Sequence, residues 1–129
     1  MADELFETTV KEMFDQIREY HISLGYDYSA ITDSTEMMKH FRENALALFM
    51  EMAEVVDSMP WKPWRNIESQ SVDIDNVQRE IVDCLFFIGA IMEMLHITPI
   101  ALLDKFDIIL KQNYHRIKSG YNNTKEERR

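Results

Sequence analysis

Cysteine is almost missing from this chain: Cys84 is the single thiol in 129 residues. One thiol excludes an intramolecular disulfide and fits a reducing compartment. Positive charge is in deficit, with 14 Lys and Arg against 23 Asp and Glu, a net charge of −9. That balance argues against a surface that attracts nucleic acid or an anionic membrane through a general positive field. It leaves open a small phosphate-bearing ligand held through a metal ion. No apolar run is long enough to span a bilayer. The opening Met-Ala-Asp-Glu has neither the basic start nor the apolar core of a secretion signal. A soluble, cytoplasmic protein is therefore expected. No alternating strand pattern, internal repeat or low-complexity tract appears, and of the few prolines and glycines Gly25, Pro60 and Gly120 fall where helices should stop and Pro99 where one should start.

What is present is helical. At 129 residues and 46% hydrophobic the chain suits one domain with a modest core. Its nine methionines suit adaptable packing. The spacing predicts a helix over 4–24, with a stripe of Leu5, Val10, Met13, Phe14 and Ile17, stopped by Gly25. A second is expected over 35–58, capped by Asp33 or Ser34 and ended by Pro60. Its core stripe reads Phe41, Ala45, Leu48, Met52, Val55, Met59. A third spans 76–95 behind Asp75 as cap, with Val77, Ile81, Leu85, Ile88, Met92 and Leu95 on one face. A fourth spans 99–118, with Thr98 as cap and Pro99 at its first position. Its stripe runs Leu103, Phe106, Leu110, Asn113, Ile117, and Asn113 is the polar intruder. Four helices with short connections make an all-α bundle: one domain over 1–121 and a charged tail over 122–129.

The chemistry is carried by two acidic turns, Glu51-Met-Ala-Glu54 and Glu80-Ile-Val-Asp83. Acids three apart share one helix face. Each pair adjoins an apolar stripe, and few cationic residues lie in these segments. Buried carboxylates must be paired, protonated or bound to metal. If the two helices face each other, four carboxylates converge, and a hard divalent cation such as Mg²⁺ is the natural counter-charge. Solvated acidic faces are the plain alternative. Trp61 and Trp64, in Pro60-Trp-Lys-Pro-Trp-Arg65, either seal one end of the bundle or form an aromatic wall for a base. Lys62 and Arg65 beside them add phosphate-binding capacity. Asn113 is either a satisfied buried amide or a ligand contact. His21, His40, His96 and His115 share no ligand spacing and read as structural or exposed, and Cys84 reads as a small core residue. Glu93-Met-Leu-His96 is a single Glu-x-x-His, where a di-iron bundle needs two with further acids.

Taken together, these residues resemble the all-α nucleoside triphosphate pyrophosphohydrolases: dimeric dUTPases, MazG proteins and dCTP pyrophosphatases. Their signature is Glu-x-x-Glu, a spacer, then Glu-x-x-Asp. Phe49 to Arg65 closely resembles the dimeric dUTPase stretch that ends in a Trp-Lys-x-Trp-Lys type loop. Val77-Gln-Arg-Glu-Ile-Val-Asp83 is similar to that family's second acidic helix, and Asn113-Tyr-His-Arg116 with Gly120-Tyr121 to its C-terminal segment. The chain departs from the family where Cys84-Leu-Phe-Phe87 replaces Trp-His-Phe, and where Tyr20 follows Gln16 in place of an Asn. The resemblance implies a four-helix fold of the MazG/dimeric dUTPase type, assembled as a homodimer or tetramer. It implies hydrolysis of a deoxynucleoside triphosphate, dUTP foremost, to the monophosphate and pyrophosphate. It further implies Mg²⁺, or Mn²⁺, on Glu51, Glu54, Glu80 and Asp83, with Glu54 orienting or deprotonating the attacking water. Lys62, Arg65, Lys111, Arg116 and Tyr121 become candidates for the β- and γ-phosphates, Asn113 for phosphate or sugar, and Trp61 and Trp64 for the base. Two alternatives stay open: a dCTP-directed or broad MazG-like substrate range, and a non-catalytic acidic helical adaptor that dimerises through Met-rich faces.

Overall fold

The structure, a computed structural model, describes residues 9–69 and 71–120. Four α-helices and two short 3₁₀ turns make up its regular structure, with no strand among the described residues. Helix α1 covers Val10–Ser23, α2 Ser34–Asp57, α3 Ile74–Met94 and α4 Pro99–Lys118. The all-α class expected from the sequence is what forms.

The helix boundaries follow from caps. α1 was expected from residue 4; it starts at Val10 because Thr9 and Glu12 form a reciprocal capping box. The Glu12 N–H donates to Thr9 Oγ1 at 3.2 Å and the Thr9 N–H to Glu12 Oε2 at 3.1 Å. Leu5 lies outside the described residues. Gly25, at φ 93°, ends α1 as expected. Asp33 caps α2, accepting the Glu36 N–H at 2.9 Å. α3 begins two residues earlier than expected. Asp73, not Asp75, accepts the Asn76 N–H at 3.1 Å, while Asp75 turns to Arg79 at 2.8 Å. Thr98 caps α4 through the Ala101 N–H at 3.1 Å, with Pro99 in the first turn.

The chain divides into two compact units, Met1–His96 and Ile97–Arg129. In the first, α3 is the central element: α2, α1 and the 3₁₀ turn Tyr28–Ala30 all pack on it. Phe14 and Ile17 of α1, Tyr28, and Cys84, Ala90, Met92 and Met94 of α3 form the buried core. Ile31, Met37 and Phe41 pack against Tyr28, Ala90 and Met94. Gly89 admits α1 to this core: a Cβ there would lie 2.7 Å from Ile17 Cγ2. A helix-interior glycine weakens the helix by about 1 kcal/mol relative to alanine, and the close crossing is the return. α2 and α3 run back along each other, joined at their shared end by Asn76 Nδ2 donating to Ser58 Oγ at 2.9 Å. Glu54 lies four residues back from Ser58, and Glu80 four residues on from Asn76. That register carries the two acidic turns to the same level.

The apolar stripes are only partly interior. Met52, Met59, Ile81 and Leu95, expected in the core, are exposed. The second unit, by itself, is α4 with its caps. None of its described residues is buried; Leu103, Phe106, Leu110 and Ile117 of the expected stripe are exposed, and so is Asn113, which is no buried amide here. Among the described residues no single helix is long and apolar enough to cross a membrane.

Candidate functional site

The acids of α2 and α3 converge. Glu51, Glu54 and Glu80 each bring a carboxylate oxygen within 4.8 Å of the other two. Glu51 and Glu80 are half-buried, and Glu54 is exposed. Glu51 Oε2 and Glu80 Oε2 are buried and hydrogen-bonded to nothing. An oxygen in that state is costly to leave unpaired, more so when charged. Protons are therefore held tightly. A shared hydrogen bond with Glu54, then burial and the neighbouring Glu51, push the Glu80 carboxyl up to about 7. Burial, with the charges of Glu54 and Asp83, raises Glu51, against a lowering hydrogen bond from Glu80. Burial also raises the Cys84 thiol, aided by Glu51, Asp83 and Glu80.

No basic side chain relieves the cluster from its own helix: Arg79, adjacent to Glu80 in the chain, pairs with Asp75. Asp83 is exposed and stands outside the three-oxygen group, yet its charge bears on Glu51. Hard oxygen donors, two of them buried and unsatisfied, fit a divalent cation of the Mg²⁺ type.

Beside the acids opens a cavity of about 590 Å³, with Glu51 and Asp83 on its wall. The rest of the wall is mainly aromatic: Tyr20, Tyr26, Tyr28, Phe86 and Phe87. Tyr26 and Tyr28 stack at 5.6 Å, and Tyr20 meets Phe86 edge-on at 5.3 Å. His21, His40 and Asn44 add polar atoms to the wall. The His21 ring is buried and held through Nδ1 by Glu93, at 3.0 and 2.9 Å to its two carboxylate oxygens. Asn44 Nδ2 donates to the His40 carbonyl at 2.8 Å. Burial raises the Tyr28 phenol, and a hydrogen bond with the Asn44 side chain opposes it.

The loop after α2 holds the tryptophans. Trp61 Nε1 donates to Asp57 Oδ1 at 3.1 Å, and Trp61 meets Trp64 edge-on at 5.8 Å. The Lys62 ammonium lies 5.8 Å from the Trp61 ring centroid. Both indoles are exposed, 48% and 70%, so neither seals a core. Arg65 is exposed as well.

A family model described as dUTPase matches residues 24–119. The chain belongs to the dUTPase family. No curated protein and no solved structure matches. Membership makes the chain, at family level, a hydrolase of nucleoside triphosphates, in a family that generally depends on a divalent metal. The matched span contains all four acids, the tryptophan loop and all of α4, but not Tyr20 or His21.

Of the remaining dUTPase-like candidates, Lys111, Asn113 and Arg116 lie on α4 in the second unit. The Lys111 ammonium pairs with Asp107 at 2.7 Å on the exposed helix surface. Tyr121 and the tail lie outside the described residues. The Glu-x-x-His at the end of α3 is no metal motif: Glu93 is turned to His21, and His96, beyond the helix, takes a left-handed backbone at φ 55°. Sequence reasoning missed His21, Asn44 and Tyr28. The only local signals were a Tyr-rich loop at 26–28 and a buried-type Phe pair at 86–87.

Proposed function

We propose that this dUTPase-family chain hydrolyses a deoxynucleoside triphosphate, dUTP foremost, with water, giving dUMP and pyrophosphate. The observation that carries the reading is the trio of carboxylates with two buried, unpartnered oxygens, one member of which, Glu51, also lines a cavity of nucleoside size with five tyrosines and phenylalanines on its wall. An acidic cluster of this kind repels a bare triphosphate, so it serves one only with a cation between. Glu51, Glu54 and Glu80, completed by Asp83, would hold Mg²⁺ or Mn²⁺. When bound, such an ion offsets the phosphate charge and favours ionisation of water at the site.

The chain's own residues supply the rest. Glu54 is the exposed member of the trio and the one best placed to accept a proton from water attacking the α-phosphorus. Glu51 and Glu80, gripped at the α2–α3 interface, orient the cluster. Water attack breaks the bond from the α-phosphorus to the bridging oxygen, and pyrophosphate leaves. The base enters the cavity walled by Tyr26, Tyr28, Phe86 and Phe87, where it meets aromatic faces. Lys62 and Arg65 take the β- and γ-phosphates, with Trp61 and Trp64 supporting the base from the loop. Lys111, Asn113, Arg116 and Tyr121 join the phosphate and sugar contacts in the same proposal, and the working form is a cytoplasmic homo-oligomer.

Incubation with Mg²⁺ and each deoxynucleoside triphosphate tests this. Pyrophosphate with the monophosphate, fastest from dUTP, is the expected outcome. Orthophosphate with the diphosphate, or no Mg²⁺-dependent product, overturns it.

A further inference from the structure

The mechanism above leaves one buried polar pair unused. His21 and Glu93 are 7% and 9% exposed, come from α1 and α3, and hydrogen-bond directly to each other, with His21 on the wall of the cavity beside its tyrosines and phenylalanines. Placing a carboxylate in such a setting is costly unless it is well hydrogen-bonded. Both Glu93 oxygens lie within 3.0 Å of one atom, His21 Nδ1. An ionised carboxylate can only accept, so Nδ1 carries the ring proton and the tautomer is fixed. Tyr28 and Phe86 set their edges against the ring, at 5.4 and 6.3 Å, and lock its plane. His21 nevertheless forms part of the cavity wall, and its one remaining polar atom is Nε2. In the neutral ring Nε2 offers a lone pair.

We infer that His21 is the specificity-determining residue for the base, with Glu93 as its positioning residue. The lone pair on Nε2 accepts the N3–H of an imide-type pyrimidine. Uracil and thymine present that donor. Cytosine presents an acceptor at the same ring position, and two lone pairs facing each other repel. Selectivity by a site built around one hydrogen bond exceeds what an apolar pocket of the same shape achieves, because the wrong base leaves a buried polar group unpaired. The inference rests on the proposed nucleotide hydrolysis and names the substrate class of that same cavity. It explains why a buried, hydrogen-bonded His–Glu pair is kept next to the tyrosines and phenylalanines, where a leucine pair of similar volume would pack without a desolvation cost.

Turnover and binding test it separately. In His21→Phe the ring shape stays and Nε2 is gone. The dUTP kcat/KM is expected to fall on the order of tenfold to a hundredfold, mostly in KM, while dCTP is unchanged or improves. In Glu93→Gln the tautomer is no longer fixed, and the dUTP:dCTP ratio moves toward one. Equal losses on both substrates in His21→Phe overturn the inference and leave the hydrolase reading standing. Retained selectivity in Glu93→Gln removes Glu93 as the positioning residue.

The wild type provides a readout that needs no variant to fold. The imidazole ¹⁵N resonances of His21 are followed while dUMP or dCMP is added. A shift at Nε2 with dUMP only is the expected result. No shift at saturating dUMP, or no binding of either nucleotide, overturns the inference. A dUMP-specific shift in a protein that releases no pyrophosphate sinks the hydrolase reading alone.

Discussion

Replacing Gly89 by alanine puts the α1–α3 crossing to a quantitative test. The added Cβ would sit 2.7 Å from Ile17 Cγ2, 3.7 Å from Ile17 Cβ and 3.5 Å from Glu93 Oε2. The last two are ordinary contacts; the first is an overlap. Ile17 is 4% exposed and β-branched on a helix, so its methyl has almost no alternative rotamer and no space to move into. Overpacking of this kind costs about 1–3 kcal/mol. Alanine returns about 1 kcal/mol of helix propensity. The net expectation is destabilisation by up to about 2 kcal/mol, with about 1 kcal/mol corresponding to a melting temperature some 4–8 °C lower for a domain near 100 residues. The decisive measurement is a double-mutant cycle in urea. Once Ile17→Ala has removed the colliding methyl, Gly89→Ala should stabilise, so the same substitution changes sign between backgrounds. If Gly89→Ala stabilises the unaltered protein by the full helix-propensity increment, the close crossing is not what Gly89 is for.

Other consequences can be checked as directly. Mg²⁺ or Mn²⁺ should raise the melting temperature, by about 2.7 kcal/mol of added stability at a hundredfold excess over the dissociation constant; Glu51→Gln should blunt the rise, and a rise of equal size in that variant argues against the carboxylate site. Glu54→Gln should lower turnover by about 10²–10⁴-fold with an unchanged melting curve; full turnover removes Glu54 from the proton transfer. In metal-free protein, Glu51 and Glu80 hold protons more tightly when folded, Glu80 up to about 7 against an ordinary 4.5. The Glu80 contribution to stability is therefore complete below about pH 4.5 and fades as pH rises through 7, and Glu51 acts in the same direction. Urea midpoints in chelator should fall from pH 5 to 8, and Glu80→Gln should flatten the fall; midpoints that climb over that range contradict the assignment. His96 holds φ 55° just past the end of α3, so His96→Gly should stabilise or be neutral, by up to about 1 kcal/mol, where a β-branched residue destabilises.

The acidic turns were legible because their logic is local. Two acids three residues apart, set in Leu, Met and Val, announce a carboxylate face before any fold is known. Thr98-Pro99 and Gly25 were legible for the same reason, since caps are read within one turn. Asp73 against Asp75 was not, because two acids compete for one cap and Arg79 claims the second. The stripe on α2 named the right helix face only in part: periodicity marks apolar positions, and α3 alone is too narrow to cover Met52 and Met59. The cavity was the least legible. Its walls come from α1, the turn at Tyr28, α2 and α3, and the His21–Glu93 pair spans 72 residues of chain. No spacing rule connects partners so distant, and Glu93 invited a reading with His96, its neighbour one turn away.

Both tryptophans of the chain sit in the one loop that follows α2, packed edge-on and exposed to water. Indole emission from this protein is thus a single-site signal. It reports the surroundings of Trp61 and Trp64 and hears little of Phe14, Ile17 or Met94. A nucleotide arriving at that loop is visible without a label. A denaturation curve taken from the same light follows the loop letting go, and the melting of the helices has to be watched by circular dichroism instead.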